Sequence, residues 1–222
     1  MPEQSEGWLF RSLTEEWQGE LADLYASFLA IETELNGENF LPKRELIFAA
    51  LTKPISSAKV LIAGQDPYPN RSDAMGLAFS IPKQNDGEQK LPPTLRNIFR
   101  ELASDVGGEL RRNGNLSDWR ESGVVLLNRT LTLLEGQSNS HKNIGWDEIT
   151  NRITERLSKT ISVAILWGKD AEKLTPFLDG VTIISSPHPS PLASYRGFFG
   201  SRPFTQTNMY LKSAGRKEID WG

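Results

Sequence analysis

Four short apolar runs punctuate the chain, at residues 60–63, 124–127, 163–167 and 181–184, and each is stopped by glycine or polar residues. Runs of four or five residues are too short for helices. Their unbroken apolar character fits strands buried on both faces of a parallel sheet. Between the runs the apolar spacing switches to three and four. Trp17, Leu21, Leu24, Tyr25, Phe28 and Leu29 form one stripe, Leu95, Ile98, Phe99, Leu102 and Val106 a second, and Trp146, Ile149, Ile153 and Leu157 a third. Ser12 with Glu15 reads as a capping box for the first helix, Pro92-Pro93-Thr94 opens the second, and Gly107-Gly108 ends it. The pattern also predicts a short helix over 42–51, a final helix over 204–212 and an extended piece over 75–81. Polar loops are predicted over 82–90 and 136–145. Strands alternating with helices predict an α/β fold, a three-layer α/β/α sandwich with a central, mainly parallel four-stranded sheet. No repeat or linker divides the chain, so residues 1–222 are expected to form a single domain.

The residues that stop the runs are Gln65 and Asp66, Asn128, Gly168 and Lys169, and His188. In open parallel sheets ligands bind outside the carboxyl ends of the strands, so these side chains are expected to converge. After Gly64, whose backbone freedom suits a sharp turn, Pro67 and Pro69 restrict φ and should hold Gln65, Asp66 and Tyr68 in fixed positions. Taken alone, the segment also fits an ordinary β-turn. His188 lies between Pro187 and Pro189. Leu192 is an apolar residue in a polar, basic loop, which fits either a functional contact or a leucine tucked under its own loop. His141, the other histidine, reads as a satisfied loop residue.

The net charge of −3 conceals a segregation. Residues 1–48 hold ten acidic and three basic side chains, leaving 22 basic against 18 acidic in the remainder. No Asp or Glu occurs between Gly180 and Lys217, where Arg196, Arg202, Lys212, Arg216 and Lys217 are found. A local basic surface attracts a polyanion whatever the overall charge, although it also fits a solvated face. The absence of cysteine excludes a disulfide framework and a thiolate metal site. Residues 1–7 carry two glutamates and no apolar segment, and no apolar run is long enough to span a membrane. The expectation is a cytoplasmic protein without a membrane association.

Gly64-Gln65-Asp66-Pro67-Tyr68, His188-Pro189-Ser190-Pro191-Leu192 and Tyr195-Arg196-Gly197-Phe198-Phe199-Gly200 together closely resemble the motifs of the family 1 uracil-DNA glycosylases. Pro92-Pro93-Thr94, Leu126-Leu127-Asn128, Asn139-Ser140-His141-Lys142 and Leu166-Trp167-Gly168 extend the resemblance, in order, over about residues 40–211. The helical part over 1–40 matches less well.

The resemblance implies a monofunctional enzyme of base-excision repair that flips uracil out of DNA and hydrolyses its N-glycosidic bond, leaving an abasic site. By similarity Asp66 orients and deprotonates water and favours the sugar cation, and His188 donates a hydrogen bond to uracil O2 as charge accumulates there. Asn128 reads O4 and N3–H, Tyr68 blocks the position of a thymine methyl, Phe79 stacks on the base and the Gln65 backbone touches it. For Phe79 alone, core packing would serve as well. Pro92, Pro93, Thr94, Gly168, Lys169 and Ser190 lie where the family grips phosphates. Leu192 would enter the space left by the flipped nucleotide, with Arg196 alongside. The implied partner is uracil-containing DNA, single- or double-stranded, with a proteinaceous glycosylase inhibitor as a second partner. No metal or organic cofactor is implied, and a monomer is expected.

Four positions depart from the family pattern. Pro69-Asn70 stands where His-Gly is commonest, Thr94 where serine is usual and Lys169 where a small hydroxyl residue is common. Pro69 motivates a rival reading, a catalytically weakened uracil-DNA binding module of the same fold. A glycosylase with a widened base range is a third.

Overall fold

The computed structural model describes residues 6–83 and 90–222. Most of the loop expected over 82–90, and the first five residues, lie outside this set. The chain begins with helices α1 (Trp8–Arg11), α2 (Glu15–Glu20) and α3 (Tyr25–Glu34), followed by strands β1 (Phe40–Leu41) and β2 (Val60–Gly64). Helices α4 (Pro93–Val106) and α5 (Ser117–Glu121) precede β3 (Val124–Asn128) and β4 (Leu133–Leu134). Then come α6 (Trp146–Ser158), β5 (Val163–Trp167), α7 (Lys169–Glu172), β6 (Thr182–Ser186) and α8 (Pro203–Ser213).

Strands β2, β3, β5 and β6 form a wholly parallel sheet in the order β3-β2-β5-β6, with helices around it as the alternating pattern predicts. The register pairs Gly64 with Asn128 and Trp167 with Ser186, so the carboxyl ends of the strands finish level along one edge. Every residue of β2, β3 and β5 is buried, which accounts for their unbroken apolar runs. Burying one such Val, Leu or Ile contributes roughly 1.5–3 kcal/mol. Strand β6 lies at the edge and begins one residue later than the apolar run, because pairing with β5 rather than hydropathy fixes its ends. At the amino-terminal ends of the two central strands, Arg216 donates to the carbonyls of Ala58 at 2.9 Å and Thr160 at 2.5 Å, bridging the approaches to β2 and β5.

The amino-terminal third departs from the expected pattern. The helix starting near Glu15 is capped by Thr14, whose Oγ1 accepts from the Trp17 N–H, while Ser12 closes α1 by donating its hydroxyl to the Leu9 carbonyl. That helix is also broken. Gly19 lowers helix propensity, Leu21 turns out of the helical region with φ of −118°, and a 3₁₀ turn over Ala22–Leu24 leads into α3. Residues 42–51 make two 3₁₀ turns, Arg44–Leu46 and Ala49–Leu51, instead of one helix. The second buries three consecutive residues, which an α-helix on a surface could not do. Residues 75–81 form no strand, because Gly76 and Phe79 both take left-handed backbone conformations. The two-residue strands β1 and β4 pair antiparallel in a small separate sheet that no periodicity announced.

Candidate active site

Asp66 emerges directly after β2, in a segment fastened to the loop that follows β4. One carboxylate oxygen, Oδ2, accepts from the Asn139 backbone N–H at 2.7 Å, and Oδ1 accepts from Gln65 Nε2 at 3.3 Å. Gln65 Nε2 also donates to Asn139 Oδ1 at 2.7 Å, closing a ring of three residues through two side-chain bonds and the Asn139 backbone N–H. Asn139 has φ of +66°, a conformation that asparagine tolerates better than most residues. Behind Asp66, the Pro69 carbonyl accepts from Gly136 N–H at 2.9 Å. Burial pushes the Asp66 carboxyl above its ordinary value, against the lowering effect of the hydrogen bonds from Asn139 and Gln65.

His188 follows β6. Its Nδ1 accepts from the Ser190 backbone N–H at 3.0 Å, leaving the ring proton on Nε2. Burial lowers its pKa and favours the neutral ring, while the negative charge of Asp170 acts in the opposite direction. Gly168, at the end of β5, has φ of +85°, and a Cβ there would press on the His188 Cβ at 2.9 Å. Only glycine combines that backbone with that approach.

Asn128 ends β3 and is 4% exposed. Its partner in the register explains Gly64, whose φ is unremarkable: a side chain there would collide with Asn128 Oδ1 and come within 2.9 Å of Ala78 Cβ. Space for the Asn128 amide, rather than the backbone freedom expected from the sequence, requires this glycine. The Tyr68 hydroxyl donates to the Phe79 carbonyl at 3.0 Å, and burial raises its pKa. Phe79 has φ of +63°, and its ring packs edge-on against Trp167 with centroids 5.2 Å apart.

These groups line one open cavity of about 180 Å³ bounded by Gln65, Asp66, Pro67, Tyr68, Pro69, Leu77, Phe79, Thr94, Asn128, Ser138 and His188. The volume falls below the roughly 300–1,000 Å³ typical of drug-sized ligands and suits one small planar ring. It offers a carboxylate, an amide, a neutral imidazole and an aromatic face. An ionised Asp66 can accept a proton from water, and the Nε2–H of His188 can donate to a developing anion. A second cavity of about 240 Å³, lined by Arg129, Lys142, Asp147, Asp170 and Lys173 among others, shares Gln65 and is otherwise separate.

The remaining sequence candidates lie outside this cavity. Pro92 and Pro93 precede Thr94 at the start of α4, and Lys169 opens α7 with its side chain exposed. Ser190, Leu192 and Arg196 share the loop after His188, where Leu192 is 88% and Tyr195 81% exposed. This rules out a leucine folded under its own loop. His141 is buried with Nδ1 2.8 Å from Thr132 Oγ1, which also accepts from Trp146 Nε1, so it is the satisfied histidine its polar surroundings suggested. Sequence reasoning did not single out the Asn139 backbone or the Gln65 side chain as supports of Asp66. The only signal was that Asn139 opens one of the matching motifs.

A sequence model of the family described as the Uracil DNA glycosylase superfamily matches residues 52–212. The chain is 46% identical to a uracil-DNA glycosylase of Nocardioides sp. over 83% of its own length and 80% of the relative's. It is 44% identical to that of Corynebacterium efficiens over 96% and 88%. Among solved structures it is similar to mimivirus uracil-DNA glycosylase, with a TM-score of 0.88, 26% identity and coverage of 96% of this chain and 88% of that one. A mutant of the mimivirus protein in complex with UGI superposes with a TM-score of 0.87 at 27% identity, covering 96% and 90%.

Proposed function

The chain belongs to the uracil DNA glycosylase superfamily, and from that premise we propose that it is a family 1 member whose Asp66, Asn128 and His188 act together on one extruded uracil. It is a uracil-DNA glycosylase, a hydrolase that releases free uracil from DNA and leaves an abasic site for base-excision repair. The observation that carries the residue assignment is that three side chains from the ends of three different strands line one cavity sized for a single ring.

In this reading the base enters against Phe79, and Asn128 donates to O4 while accepting from N3–H. Cytosine offers the opposite pattern at both atoms and would leave buried polar groups unpaired. Tyr68, held by its bond to the Phe79 carbonyl, fills the position where thymine carries a methyl group. As the bond between N1 and C1′ breaks, its electron pair moves onto the uracil ring. The Nε2–H of His188 stabilises the resulting charge on O2. Water adds to C1′ and passes its proton to Asp66. Pro69 leaves no imidazole beside that water, so the hydrogen-bonded ring of Asp66, Gln65 and Asn139 orients it.

Outside the cavity, Pro92, Pro93, Thr94, Gly168, Lys169 and Ser190 bind phosphates, Leu192 fills the vacated stack and Arg196 lies beside it. Residues 1–222 act as one domain, supported by the burial of Leu9, Trp17 and Phe28 in the same core as the sheet. The reading takes the protein as a monomer, because the proposed chemistry asks for no residue of a second copy. Among the described residues no helix is long and apolar enough to cross a membrane, and the reading puts the protein in the cytoplasm, with the DNA. The likeness to a neighbour solved in complex with UGI supports a proteinaceous inhibitor as a second partner.

The test is release of free uracil from a uracil-containing oligonucleotide in the presence of a chelator. Tight binding without release would replace catalysis with the binding-module reading, and loss of activity on chelation would refute the metal-free mechanism.

A further inference from the structure

One face of α4 directs its polar groups at the segment that follows His188. Asn97, Glu101 and Asp105 recur every fourth residue, so they lie in one row, and they are 8%, 1% and 7% exposed. Asn97 Nδ2 donates to the Pro189 carbonyl at 2.8 Å and to Ser194 Oγ at 3.3 Å. The Glu101 carboxylate accepts the backbone N–H groups of Gly200 at 2.7 Å and Arg202 at 2.8 Å. Asp105 Oδ2 accepts those of Phe204 at 2.8 Å and Thr205 at 3.0 Å. Buried polar side chains need such partners, and here each partner belongs to the loop bearing Leu192 or to the helix start that ends it.

The same helix carries Thr94 one turn before Asn97. Thr94 borders the cavity, and Leu192 stands clear of the surface in the stretch between the two residues that Asn97 contacts, Pro189 and Ser194. We propose that Asn97 is a positioning residue that fixes the Leu192 loop relative to the Thr94 phosphate grip, so that backbone compression and filling of the vacated stack occur together. It touches neither base nor attacking water. Asparagine suits the task because its two amide hydrogens diverge in one plane, one toward a carbonyl and one toward a hydroxyl. Leucine has similar size and would leave the Pro189 carbonyl without its donor. Glu101 and Asp105 hold the other end of the same loop.

The inference rests on the glycosylase reading. The assay is steady-state uracil release from a duplex oligonucleotide by the full chain and by Asn97→Leu, with Asn97→Ser as a second variant too short to reach Pro189. Ile98→Val, a buried neighbour on α4 outside the row, serves as the packing control. KM for duplex DNA is expected to rise about tenfold or more, with a smaller change in kcat, because the lost contact positions DNA without entering the chemistry. Inhibition by free uracil and the pH profile should match the unmodified chain, and Ile98→Val should leave all three unchanged. A duplex KM close to that of the unmodified chain in either folded Asn97 variant overturns the proposal. So does a parallel change in KM and free-uracil inhibition. If the unmodified chain releases no uracil, the glycosylase reading itself fails and the inference falls with it.

Discussion

The His188 ring receives a hydrogen bond from the backbone N–H of Ser190, two residues downstream, at 3.0 Å, so the loop that carries the imidazole also sets its tautomer. Burial lowers the folded pKa below the ordinary 6.5. The stability associated with this neutral ring is complete above the unfolded value and is lost as pH falls through the folded one. Nitrogen-15 spectra should therefore show His188 protonated on Nε2 at pH 7.5 and titrating below 6.5. Replacing it by glutamine should lower kcat about 10²–10³-fold. A ring protonated on both nitrogens at pH 7.5 would contradict the assignment.

Asp66 has the opposite shift. Its folded pKa is raised above 3.8, mainly by burial, so its stabilising contribution belongs to the protonated form, is present below the unfolded value and is lost as pH rises through the folded one. At neutral pH the carboxylate is held at a cost to stability. Asp66→Asn should accordingly melt no lower than the unmodified chain at pH 7.5, with the difference shrinking toward pH 4. Turnover should fall about 10²–10⁴-fold, while DNA affinity changes little. Calorimetry and single-turnover kinetics on one preparation provide both measurements.

In the proposed reading Tyr68 combines two functions that substitution can separate. Tyr68→Ala opens the space beside C5 and should produce detectable thymine release, since exclusion of one methyl group is worth about 10–200-fold. Tyr68→Phe keeps the ring and loses the bond to the Phe79 carbonyl. It should still reject thymine while turning over uracil more slowly, because Phe79 is then less firmly held in its left-handed conformation. Competition between uracil and thymine oligonucleotides distinguishes the variants.

Gly64→Ala tests the close approach between β2 and β3. Its new methyl group would meet Asn128 Oδ1 and Ala78 Cβ, and such overpacking costs about 1–3 kcal/mol. Urea unfolding should show that loss, and free uracil should bind more weakly because the reading amide is displaced. Unchanged uracil binding would show that Asn128 can move without penalty.

Legibility followed physical distinctiveness. Strands β2, β3 and β5 announced themselves because burial on both faces leaves no polar position, and Asp66, Asn128 and His188 were recognisable as residues that interrupt or follow such runs. The α4 and α6 stripes were equally plain, since one-sided burial imposes a period. The break at Leu21 was hidden because both helical pieces continue the same apolar spacing across it. Strands β1 and β4 were illegible because two residues cannot display an alternation. Thr14 and Ser12 are both competent caps, and the folded hydrogen bonds decide between them: Thr14 accepts from the Trp17 N–H, while Ser12 turns back to the Leu9 carbonyl. The purpose of Gly64 was misread because a sequence reveals a missing side chain but not the neighbour that needs the space. The ring joining Gln65, Asp66 and Asn139 spans more than seventy residues and exists only once the loops meet.

Arg216 braces the sheet chiefly through main-chain oxygens. Its guanidinium reaches the carbonyls of Ala58 and Thr160, ahead of β2 and β5, so the brace depends on where those carbonyls stand rather than on the side chains attached to them. Substitution at either position leaves the acceptor in place, and the tie tolerates drift in its own partners.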